Sequence, residues 1–208
     1  MRKITDTFLR ALLTGMLIAM GGIIYLSCDN RYIGAALFGT GLFTVLTFGL
    51  ALFTGKVGYA VEQKPRYLLD LCVIWLGNLI GAIITGLVIQ ITRAGAGISE
   101  KAAALCDVKM NDDLLSIFVL AFFCGMLMFI AADGYKNLSN PVAQMLAVFL
   151  PVMVFILSGF EHCVANMFYF TAGNAWNPTS ALYMAVMTLG NSAGGIFIPL
   201  VRKGFVKS

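Results

Sequence analysis

The sequence predicts an all-α membrane protein: six transmembrane helices in two inverted three-helix repeats, with helices 2 and 5 broken. Three observations lead there. Of 208 residues, 60% are hydrophobic and only 12% are charged, against roughly 25% charged in a soluble domain. Mean hydropathy is +0.89. So few charged side chains do not coat a soluble core of this size, which excludes a soluble enzyme, a nucleic-acid binder and a disordered chain. Apolar stretches of the length a bilayer requires, about 20 residues, recur six times. Two of these stretches, each the second of its half, are interrupted by glycine and polar residues.

The six spans read as 11–27, 33–53, 72–91, 114–132, 142–160 (continuing past a charged pair to 170) and 181–201. They make one transmembrane domain over 1–208, with a first repeat at about 8–92 and a second at about 110–203. Arg2, Lys3 and Arg10 ahead of the first span suit a signal peptide. The apolar run is long for one, however, and its end is a poor cleavage site, so six retained spans are expected. Three spans per half, an odd number, force the second half to be inverted. Basic residues favour the cytoplasmic side. With the N-terminus inside, ten lie on inner segments (Arg2, Lys3, Arg10, Lys56, Lys64, Arg66, Lys136, Arg202, Lys203, Lys207) and four on outer ones. The net charge of +4 is therefore an orientation signal that places both termini in the cytoplasm.

Spans 3 and 6 share a motif: Leu-Gly-Asn-Leu-Ile-Gly-Ala at 76–82 and Leu-Gly-Asn-Ser-Ala-Gly-Gly at 189–195. Gly77, Gly81, Gly190 and Gly194 have the spacing of close helix packing. Asn78 and Asn191 are buried amides that need partners. In span 2, residues 33–53 alone would rise about 31 Å as a helix. Apolar sequence nonetheless resumes at 57–61 after Thr54-Gly55-Lys56, which implies a break with Gly55 at the turn. In span 5, Gly159, Glu161 and His162 interrupt the run before it resumes. Non-helical backbone at membrane depth is tolerated only where it is buried in protein or lines a wet cavity, so two matched breaks point to a pathway.

The scarce polar residues at these breaks carry the chemistry. His162 is the single histidine, and an ionisable group inside a membrane span is a functional candidate. A neutral imidazole still donates one hydrogen bond. Glu161 fits a structural role, accepting bonds from amides freed at the break. Thr54 offers a hydroxyl to a solute or serves as a helix cap. Asn191 donates to a solute or ties span 6 to the break in span 5. Lys109 precedes span 4 on the outer side, as a snorkelling anchor or as an attractor of anions. Phe38, Leu42, Leu52, Phe53 and Phe155 are candidates for apolar constrictions. No metal-ligand spacing appears, and no cofactor is expected. Cys28 and Cys106 both fall on the outer side, where they are free to pair or not.

At these residues the chain resembles the formate/nitrite transporter family, whose members conduct small monovalent anions. The stretch 159–167, Gly-Phe-Glu-His-Cys-Val-Ala-Asn-Met, resembles the family's span-5 signature, Leu52-Phe53-Thr54-Gly55 the loop that interrupts span 2, and Thr188-Leu189-Gly190-Asn191 the span-6 pattern. Lys109 falls where the family carries its Lys before span 4. The resemblance covers nearly the whole chain. It implies an aquaporin-like protomer in a homopentamer, with one pore per protomer in the cell (inner) membrane. Thr54 and His162 would meet at the pore centre between two apolar constrictions. The implied activity is passage of formate, nitrite or hydrosulfide, or their conjugate acids, either passive or linked to protons, with the proton supplied by His162 or by water. Two features depart from the family: little sequence precedes span 1, and Gly125 stands where formate channels commonly carry an Asn. The rivals are an aquaporin-type channel for small neutral solutes and a membrane-embedded enzyme. Asn140-Pro141 and Asn177-Pro178 read as turn signals rather than as paired channel motifs. No nucleophile, phosphate or metal motif supports catalysis.

Overall fold

A computed structural model describes residues 2–205, with side chains from 4 to 204. Arg2, Lys3 and Lys207, which count toward the orientation, have side chains outside that range. The chain is helical almost throughout: α1 (Arg2–Ser27), α2 (Arg31–Thr47), α3 (Phe53–Lys56) continuing into a 3-10 segment (Val57–Glu62), α4 (Tyr67–Gln90), α5 (Gly95–Met110), α6 (Leu114–Asn137), α7 (Pro141–Leu157), α8 (Cys163–Ala172) and α9 (Pro178–Phe205). Among the described residues, four helices are long and apolar enough to cross a membrane unaided: Ile4–Ser27, Tyr67–Gln90, Leu114–Asn137 and Pro178–Gly204.

Polar caps start several helices where the backbone needs them. The Asn30 side chain accepts from Tyr32 and Ile33 N–H at the head of α2. Asn140 accepts from Val142 and Ala143 N–H at the head of α7, with Pro141 following it. Both satisfy N–H groups that a helix leaves free at its start. The Asn-Pro pair at 177–178 likewise opens α9, with Ser180 N–H donating to the Asn177 side chain.

Two pairs of helices make the most extensive contacts, α1 with α4 and α6 with α9. The glycines explain how closely they approach. A Cβ at Gly81 would lie 2.0 Å from the Leu12 carbonyl oxygen, and one at Gly194 would lie 1.8 Å from that of Phe122. Gly15 packs on the Asn78 backbone as Gly125 packs on the Asn191 backbone, with hypothetical Cβ distances of 2.1 and 2.2 Å to the carbonyl oxygens. Gly125 is therefore a helix-contact residue, and the place of a side chain there is filled by α9.

The chain leaves helical geometry at 48–52 and again at 158–162. The sequence-based expectation put the first interruption at 54–56 with the turn at Gly55. The structure corrects it: Gly55 lies within α3, and the left-handed residue is Gly49, at φ +61°. Gly159 takes the same role in the second interruption at φ +69°. Nothing crowds either glycine within 4 Å, so backbone conformation is what calls for glycine there.

Candidate functional site

The two interruptions end where two short helices begin. Leu52 is the N-cap of α3 and His162 the N-cap of α8. The Thr54 Oγ1 and His162 Nε2 lie 2.9 Å apart, joining the first turn of α3 to the N-cap of α8. Thr54 is fully buried and His162 is 3% exposed. The Ala165 N–H donates to His162 Nδ1 at 3.1 Å, capping α8. A ring nitrogen that accepts carries no proton, so a neutral His162 holds its hydrogen on Nε2 and donates it to Thr54. The hydroxyl hydrogen of Thr54 is then left for another acceptor. A proton on Nδ1 would face the Ala165 N–H and break the cap.

Each interruption is clamped by one asparagine. Asn191 Oδ1 accepts from Cys163 N–H, and its Nδ2 donates to the Glu161 and Ala121 carbonyls, at 2.7–2.8 Å. Asn78 Oδ1 accepts from Phe53 N–H, and its Nδ2 donates to the Ala51 and Ala11 carbonyls, at 2.8–2.9 Å. Both amides are fully buried and engaged with backbone, so the structure places Asn191 as a tie between α9 and the break.

Glu161 accepts from side chains rather than from freed backbone amides. Lys109 Nζ lies 2.8 and 2.7 Å from its two oxygens, and Asn166 Nδ2 donates to Oε2 at 2.7 Å. The pair is largely buried, with Lys109 14% and Glu161 4% exposed. Lys109 comes from the end of α5, so the ion pair fastens the link between the two halves to the residue before His162. Asn166 Oδ1 is buried without a partner. The sequence carried a signal for Asn166, a polar residue one helical turn beyond His162 in an apolar stretch.

Of the apolar candidates, Phe38, Leu42 and Phe155 are grouped near the site. Phe38 meets Phe155 edge to face at 5.7 Å between ring centroids, Phe155 stacks on the His162 ring at 5.5 Å, and Leu42 lies one turn beyond Phe38 on α2. Leu52 borders a cavity of about 410 Å³ that also meets Gly55, Lys56, Tyr59, Glu62 and Lys136. Phe53 does not join these residues around that cavity. It borders a separate groove between α4 and α9. The five cysteines are free. Burial pushes the Cys106 thiol up to about 12, so it stays protonated at neutral pH.

A family model for the formate/nitrite transporters matches residues 1–202. An uncharacterized transporter, YrhG, of Bacillus subtilis is 29% identical over 80% of this chain and 64% of its own length. The formate channel FocB of Escherichia coli is 28% identical over 80% of this chain and 66% of its own. The chain thus spans about two thirds of the length of these relatives, which are channels and transporters, not enzymes. Among solved structures, a pentameric formate channel with formate bound superposes with a TM-score of 0.82 at 23% identity, covering 100% of this chain and 99% of that one. A second ion channel of the same family gives 0.78 at 22% identity, covering 98% and 89%. At those identities the likeness is one of fold, and the match over residues 1–202 supplies the rest: the chain belongs to the formate/nitrite transporter family.

Proposed function

We propose that this chain is a membrane pore for small monovalent anions or their conjugate acids, of the formate, nitrite or hydrosulfide class. The observation that carries the reading is the buried 2.9 Å Thr54–His162 bond, which joins two interrupted helices beside a cluster of apolar rings. A bare anion loses its hydration in such a constriction at a large cost. A solute that takes up a proton crosses more easily. His162 directs its one proton at Thr54, and Thr54 offers its hydroxyl hydrogen to the solute. Lys109 spends two ammonium hydrogens on Glu161 and keeps a third for an anion approaching from outside.

The same reading assembles the helices into six crossings. At 17 residues each, α2 and α7 rise about 26 Å, short of the ~30 Å hydrocarbon layer. α3 with its 3-10 extension, and α8, complete them. The matched clamps of Asn78 and Asn191 support two inverted repeats, about 8–92 and 110–203. The basic residues support cytoplasmic termini in the cell membrane, and the likeness to a pentameric channel supports a homopentamer.

Competitive flux into proteoliposomes tests this reading. Formate, nitrite and hydrosulfide should enter in a protein-dependent manner and compete with one another. Osmotic swelling with water or glycerol, without anion flux, would establish the neutral-solute channel instead.

A further inference from the structure

The groove that Phe53 faces has no part in the pathway above. It measures about 570 Å³ and lies between α4 and α9, walled by Leu68, Leu71 and Trp75 on one side and Thr188 and Ile196 on the other. Its polar groups are satisfied internally: Trp75 Nε1 donates to Thr188 Oγ1 at 3.1 Å, and that hydroxyl donates to the Met184 carbonyl. What the groove offers an occupant is therefore apolar. Leu68 to Trp75 rises about 11 Å and Thr188 to Ile196 about 12 Å, close to the depth of one hydrocarbon leaflet, about 15 Å.

The Trp75–Thr188 bond spans the groove from α4 to α9. Residues 61–67 join two of the lining residues, Ala60 and Leu68, and within that segment Lys64 and Arg66 are exposed. Neither side chain has a hydrogen-bond or ion-pair partner among the described residues. On α9, Lys203 reaches the Val61 carbonyl in the same segment. The nearby carboxylates are turned elsewhere, with Glu62 lining the inner cavity and Asp70 a crevice shared with α1. An apolar furrow of leaflet depth, adjoined by a segment with two exposed cations, has the chemistry of a phospholipid site.

We propose that this groove binds one acyl chain of an anionic phospholipid of the cytoplasmic leaflet, its phosphate held by Lys64 and Arg66. Because Phe53 forms part of the groove and precedes Thr54, the chain braces α3 from behind. The proposal rests on the chain spanning the bilayer with Lys64 and Arg66 inward, and is independent of what the pore conducts.

The chain has two tryptophans, Trp75 and Trp176, so Trp176→Phe leaves Trp75 as sole reporter. The protein is placed in phosphatidylcholine bilayers doped with equal fractions of chain-brominated phosphatidylglycerol or chain-brominated phosphatidylcholine. Brominated phosphatidylglycerol should quench Trp75 with an apparent affinity tighter by about fivefold per cation. Lys64→Gln with Arg66→Gln should abolish that preference. In Trp75→Phe, the remaining Trp176 should show none, which serves as the control if Trp176→Phe folds poorly. Equal quenching by both lipids, or no quenching because a second copy covers the groove, would overturn the proposal. Anion flux is read separately, so a failure of the pore reading leaves this result standing.

Discussion

From Phe48 to Leu52 the chain makes the same turn that it makes from Ser158 to His162. Leu50 N–H donates to the Val45 carbonyl as Phe160 N–H does to that of Phe155, both at 2.9 Å. A left-handed glycine follows each helix, and an asparagine from α4 or α9 clamps the residues on either side of the cap. The side chains differ. Ala51 stands where Glu161 stands in the second turn, Leu52 where His162 does, and Val45 where Phe155 does. The frame is common to both halves, whereas the ion pair and the imidazole belong to the second alone. The first half contributes one polar group of its own, Thr54. The asymmetry thus lies in the side chains, without a change in the hydrogen bonding of the turn.

The comparison can be broken most severely at its clamps. Asn78→Leu and Asn191→Leu each orphan two buried backbone groups beside the cap and remove a further bond to a helical carbonyl, at a cost of about 1–3 kcal/mol per orphaned group. Each should lower the thermal unfolding temperature in detergent by a similar, large amount. Loss in only one of the two variants would mean that the frames are not equivalent.

The next effect exists only in the second half. Lys109→Met leaves Glu161 buried without its counter-ion and should cost about 3 kcal/mol or more. Lys109→Met combined with Glu161→Leu, which restores the apolar character of Ala51, should recover most of it. A double variant as unstable as the single one would show that the pair is not held together by charge balance.

A smaller effect should be shared again. Gly15→Ala and Gly125→Ala force a methyl group into a carbonyl oxygen on the partner helix, at about 1–3 kcal/mol each. Gly97, with nothing within 4 Å, should accept alanine with a change below about 1 kcal/mol. Unfolding temperatures of the three variants, measured together, check the ranking.

Much of this was legible in the sequence, and the rest was hidden for physical reasons. Apolar runs mark spans because lipid leaves no alternative, and Gly159, Glu161 and His162 are conspicuous within one. The first interruption was harder to place. Its loop, Leu50-Ala51-Leu52, is as apolar as a helix, and Thr54-Gly55-Lys56, though polar enough to look like a break, is helical. Aligning the two turns on Gly49 and Gly159 would have corrected this. Partners were less legible than positions. Lys109 lies 52 residues from Glu161, and only the path of α5 brings them together. Phe53 reads as a constriction by sequence because it adjoins Thr54, and its place beside the α4–α9 groove carries no signal in the sequence.

The proposed pore chemistry rests on the Thr54–His162 bond, which has no counterpart in the first turn. His162→Asn tests it most directly, because Asn caps a helix well and should keep the Ala165 N–H satisfied, while the Nε2 proton is lost. Formate flux into proteoliposomes should be measured across pH for the native chain and the variant, with assembly followed by size-exclusion chromatography. The expected result is unchanged assembly with an altered pH profile of flux. An identical profile in an intact assembly would overturn the role proposed for His162.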